Sequence, residues 1–132
     1  MFVEAISTVE RNKTTDWLNE TKFITIISDG STDISVQENE LVFIRYAYLG
    51  VQKLTFSSIE NVKKADAEGI MGAVTNSMKQ LEMHGDFTKK VVAFAADGAS
   101  VNSIISQCDS HCLQELFHLT AYHIICLTLC LN

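Results

Sequence analysis

Two aspartates in this chain each follow a short apolar run, and that arrangement can turn carboxylates into metal ligands. Phe23-Ile24-Thr25-Ile26-Ile27 leads to Asp29, and Val91-Val92-Ala93-Phe94-Ala95-Ala96 leads to Asp97. Both runs read as buried strands, with Ser28-Asp29-Gly30-Ser31 and Asp97-Gly98 as the turns that end them. The acids lie 68 residues apart, enough chain for two strands and a crossover. Two carboxylates held a few Å apart repel, and a divalent cation relieves the repulsion. Mg²⁺ in particular accepts one or two carboxylates together with water and substrate phosphates. An aspartate after a strand also serves as a turn former or helix cap, so spacing alone leaves both readings open.

Soft ligands gather in the tail. Cys108-x2-His111-Cys112 and His123-x2-Cys126-x3-Cys130 set cysteine and histidine at short spacings, as a structural zinc site would need. The tight C-x2-C and H-x3-H knuckles are missing, and Leu127, Leu129 and Leu131 suggest an apolar segment in which cysteine packs as a small hydrophobe. Zinc is therefore not expected, and the four cysteines are read as thiols. His84 before Gly85 is most simply a cation at a helix C-terminus. No Gly-rich phosphate loop, nucleophile elbow or HExxH is present, and Trp17 and the phenylalanines are read as core.

These residues need elements to hold them. Residues 3–20 carry Val3, Ile6, Val9, Trp17 and Leu18 among polar neighbours, which predicts one or two short helices with Thr14, Thr15 and Asp16 as caps. Glu40 to Leu49 reads as a second strand, Gly50 as a turn, and Val51 to Phe56 as a third strand antiparallel to it. From Ala65 to His84 the period changes: Ile70, Val74, Met78 and Leu81 recur every three or four residues, a helix with Gly85 as its stop. Ser100 to Phe117 reads as helical, and His118 to Leu131 fits a strand or a buried helix equally well. This order predicts an α/β fold: a meander, then a helical crossover that returns the fourth strand parallel to the first, with both aspartates at one edge of the sheet.

Composition narrows the function classes. Hydrophobic residues make up 47% and charged residues 20% of 132, which predicts one packed domain rather than a disordered chain. The balance of 10 basic against 16 acidic residues gives −6, the wrong sign for holding phosphates by charge alone. The sequence has neither a membrane-length apolar run nor a secretory signal, which gives an intracellular expectation.

Four blocks carry a family likeness: Ser28-Asp29-Gly30-Ser31-Thr32-Asp33, Glu40-Leu41-Val42-Phe43-Ile44-Arg45-Tyr46, Lys64-Ala65-Asp66-Ala67-Glu68-Gly69-Ile70 and Ala96-Asp97-Gly98-Ala99-Ser100-Val101-Asn102. Over residues 17–102 the chain resembles the hAT-type transposase domain, most closely that of vertebrate transposon-derived proteins with zinc finger-type and SUMO-ligase-like members. The resemblance implies an RNase H-like domain with a mixed sheet, a three-strand antiparallel meander plus parallel strands, truncated at its C-terminus. On that reading residues 1–22 are a helical lead-in and residues 23–132 the partial domain.

In that family a D-D-E triad binds two metal ions for strand cleavage and transfer. The resemblance implies that Asp29 matches the first acid and Asp97 the second, while the third lies far downstream in the family. Asp33 and Asp66 are read as caps or solvated turn residues rather than substitutes. The family's Cys-x-x-His element has a degenerate counterpart at Cys126, with Leu129 where the histidine belongs. Either the element has decayed, or the residues after Asn102 derive from a shifted frame or altered exon.

The expectation is a domesticated or decayed transposase fragment with two of three acids, not an active enzyme. Mg²⁺ is its cofactor if it has one, and DNA is its ancestral partner. Protein partners or self-association are expected, with poor solubility, and no membrane. The family suggests the nucleus. The alternatives are a metal-dependent DNA strand transferase or nuclease part that takes its third acid from elsewhere, and a non-catalytic piece of a SUMO-ligase-like or zinc finger-type protein.

Overall fold

The computed structural model describes residues 1–32, 37–64, 66–83 and 87–96. The elements run α1 (Phe2–Glu20), β1 (Ile24–Thr32), β2 (Glu38–Tyr48), β3 (Val51–Val62), α2 (Ala67–Gln80), a 3-10 turn (Phe87–Lys90) and β4 (Val91–Ala96). The four strands form one sheet in the order β3-β2-β1-β4, antiparallel except where β4 lies parallel to β1. The meander and the parallel return are thus as the sequence predicts. None of the described helices is long and apolar enough to cross a membrane.

Strict alternation makes one face of this sheet the core. Val42, Ile44 and Tyr46 of β2 are buried, and they register with Ser28, Ile26 and Ile24 of β1, all buried as well. The helix α2 covers this face with Ile70, Val74, Met78 and Leu81, the residues whose spacing predicts it. Its start is fixed by Asp66, whose carboxylate accepts the Gly69 N–H at 2.9 Å as an N-cap. Gly69 itself is required there: a Cβ at that position would meet the Lys64 carbonyl oxygen at 2.1 Å.

Between β2 and β3 the chain turns through Leu49 and Gly50, both with positive φ (50° and 76°), the left-handed pair of a two-residue hairpin. Farther along β3 the register slips, because Val42 pairs with Ser58 and Phe43 with Phe56, which leaves Ser57 as an extra residue. The bulge is tied down from above by Ser77 of α2, whose hydroxyl donates to Ser57 Oγ at 2.6 Å.

A single helix stands where one or two short ones are predicted. Thr14, Thr15 and Asp16 lie inside α1 rather than capping it: Thr14 is buried, the Thr15 hydroxyl donates to the Leu81 carbonyl at 2.6 Å, and Asp16 is exposed on the helix. Leu18 is fully buried in the same core, and Trp17 stacks on Tyr48 with ring centroids 5.3 Å apart. Residues Phe2 to Lys13 are exposed throughout. Lys90, just before β4, donates to the Leu18 and Asn19 carbonyls at 2.8 and 2.9 Å, a cation on the last turn of α1.

Three further expectations need correction. The first strand does not stop at Ile27; it continues through Asp29, Gly30 and Ser31 to Thr32, because β2 offers partners as far as Glu38. The third strand runs six residues past Phe56, since the bulge at Ser57 absorbs the break in alternation. The phenylalanines are not all core: Phe94 is buried, but Phe2, Phe23 and Phe56 are exposed. The helix expected over Ser100 to Phe117, the strand or buried helix over His118 to Leu131, and the roles of His84 and Gly85 fall outside the described residues.

Candidate functional site

Asp29 is the sixth residue of β1, opposite Leu41 of β2 and exposed. The pleat turns it away from the core face that its neighbour Ser28 occupies. On the other side of β1, Ser28 registers with Ala96, the last residue of β4. The strand thus delivers the chain beside the residue preceding Asp29. Asp97, one residue on, lies outside the described residues, as do Asp33 and the tail candidates Cys108, His111, Cys112, His123, Cys126 and Cys130. Among the described residues no three His, Cys, Asp or Glu side chains come together as a metal site.

Among the described residues the carboxylate nearest Asp29 in register is Glu40, opposite Gly30, and it points the other way. Glu40 shares the core face with Val42 and Ile44, is 1% exposed, and accepts a 2.5 Å hydrogen bond from the Ser28 hydroxyl. A buried carboxylate is costly without such donors. Glu40 and Ser28 therefore make a polar insert in the core rather than a ligand beside Asp29. The sequence carries the signal for this, since Glu40 has the parity of Val42, Ile44 and Tyr46. Asp66 is spent on its own helix as a cap, as the sequence reading has it.

Two grooves among the described residues lie elsewhere. A groove of about 620 Å³ runs between α1 and the end of α2, where Arg11 faces Glu4, Asp16 and Glu82, an acidic balance that does not favour phosphate. A second, of about 460 Å³, lies beside the start of α2, between Lys63, Lys64 and Asp66. Neither is lined by Asp29. Lys13 of α1 and Lys53 of β3 both approach the Trp17 ring, at 4.8 and 5.3 Å from its centroid, and Lys53 thereby ties α1 to the meander. Next to them the Tyr48 hydroxyl is pushed above its ordinary 10.0, first by desolvation and then by the negative charges of Glu20 and Asp16.

Fold and site together define an α/β protein with a four-strand mixed sheet, one parallel pair and two described α-helices, carrying one exposed acid on a central strand. No family model matches the chain, and no curated protein matches it.

Proposed function

We propose that this chain is a transposon-derived remnant: an RNase H-like sheet of the hAT type, kept as an interaction module and silent as a nuclease. One observation carries the reading. Ser28 of β1 registers with Ala96 of the parallel neighbour β4, so the chain runs out of β4 beside the residue that precedes Asp29. Open α/β sheets bind their ligands where parallel strands end, and β4 ends beside Ser28 while β1 continues to Thr32. Asp29 in β1, with Asp97 the next residue in sequence after β4, suits a Mg²⁺ ion that keeps its remaining positions for water and phosphate.

Silence follows from what surrounds Asp29. Two-metal cleavage needs ligands on both sides of the scissile phosphate. Glu40, the described carboxylate nearest Asp29 in register, is committed to Ser28 on the opposite face. The chain's charge of −6 also gives DNA no electrostatic attraction.

Paramagnetic broadening by Mn²⁺ tests the pair. Ser28, Asp29 and Ala96 amides should broaden at millimolar Mn²⁺, and Asp29→Asn or Asp97→Asn should abolish the effect. Absence of broadening defeats the metal edge. Supercoiled plasmid should stay intact with Mg²⁺ or Mn²⁺; nicking that Asp97→Ala removes would make the chain a nuclease.

A further inference from the structure

The strand β3 is an outer strand and the longest of the described sheet, twelve residues from Val51 to Val62. One side of its backbone pairs with β2; on the other, no strand among the described residues takes up its N–H and C=O groups. An open row of this kind is a template for another strand, and proteins usually guard it with proline, shortness or several charges. Here the chain has no proline, and Lys53 and Glu60 are the charged residues of β3. Leu54, Phe56 and Ile59 stand on the face away from the helices, 63%, 49% and 60% exposed.

The pattern of this edge is complementary to itself. The extra residue Ser57 lies near its middle and shifts the alternation by one. A second copy turned about a two-fold axis beside Ser57 therefore sets Leu54 against Ile59, Lys53 against Glu60, Gln52 against Asn61 and Val51 against Val62. Each pair falls on one face, as their β2 partners require: Leu54 and Ile59 pair with Arg45 and Leu41, while Lys53 and Glu60 pair with Tyr46 and Glu40. A slip of two residues loses the match, since Lys53 then meets Ser58 or Val62. Both charges are already held in position, Glu60 by hydrogen bonds from Ser58 and Gln80 at 2.9 and 2.8 Å, and Lys53 over Trp17.

We propose that β3 is a dimerisation edge, on which a second copy of this chain adds its own β3 antiparallel in this register and joins two sheets into one. Such an interface is isologous: each copy gives and receives the same contacts, including a Lys53–Glu60 pair and a Leu54–Ile59 pair on each side of the axis. The proposal stands apart from the metal edge, and its test uses no metal.

Sedimentation of the full chain over a concentration series reads it directly. The expected result is a monomer–dimer equilibrium. Leu54→Lys and Ile59→Lys, both exposed in the monomer and so compatible with an unchanged circular dichroism spectrum, should each weaken it at least about tenfold. Lys53→Glu and Glu60→Lys should each weaken it about fivefold, and the double swap K53E/E60K should restore it. A chain that stays monomeric overturns the proposal, and so does a dimer indifferent to the lysine substitutions. A double swap no tighter than the single variants overturns the register. Hydrogen exchange adds a further check: β3 amides on the outer edge should gain protection with concentration. Protection already complete in the monomer would mean that other residues of the same chain occupy the edge, and would end the proposal.

Discussion

The two faces of the sheet have nearly the same appetite for burial and opposite fates. Toward the helices, Ile24, Ile26, Val42 and Ile44 are sealed beneath α1 and α2, and the buried acid beside them, Glu40, is satisfied by Ser28. Away from the helices, Leu54, Phe56 and Ile59 stay exposed, and Asp29 stands in the open. Strand alternation supplies both faces with side chains; what separates them is the packing above. The covered face holds the stability of the molecule, and the open face has surface to spare for contacts.

The largest test of that contrast pairs two isoleucines in adjacent strands. Ile44→Ala should cost about 2–5 kcal/mol in urea unfolding, whereas Ile59→Ala should stay within about 0.5 kcal/mol when measured at concentrations where the chain is monomeric. Equal losses would show that the open face is covered in solution. The next test uses the polar residues. Ser28→Ala removes the donor to buried Glu40 and should cost about 1–3 kcal/mol, while Asp29→Ala one residue on should leave the melting temperature nearly unchanged.

Where the faces meet at the hairpin, Leu49 occupies a left-handed conformation that favours asparagine or glycine. Leu49→Asn should stabilise by about 1 kcal/mol, and a loss on thermal melting would contradict the turn geometry. The smallest effect belongs to Tyr48. Its hydroxyl titrates higher in the folded chain, so the protonated form favours folding, fully below pH 10 and progressively less as pH rises above it. Tyr48→Phe should flatten the fall in melting temperature above pH 10 and leave it unaltered at pH 7.

Much of the covered face is legible in the sequence because its signals are local. Ile70, Val74, Met78 and Leu81 give α2 its register, and all four are buried. The parity of Val42, Ile44 and Tyr46 gives β2 its inner side. What escapes a reading along the chain depends on partners distant in sequence. Ser28 to Ser31 has the composition of a turn yet is held in β1 by Val42, Leu41, Glu40 and Asn39. The second half of β3 is hidden by one inserted residue, Ser57, which breaks the period of two. Thr15 looks like a cap because its bond to Leu81 spans 66 residues. Of the candidate site, the parallel pairing that carries the chain toward Asp97 is legible from the crossover rule, and the core-facing role of Glu40 is legible from parity alone.

The lysine at position 90 joins the last turn of α1 to the start of β4, across 72 residues of chain. A closure that long is slow, because the intervening segments must come together before it can form. The local hairpin of β2 and β3 has no such delay. The first helix should therefore settle late on the folding route, its C-terminal turn locked only once the fourth strand has arrived.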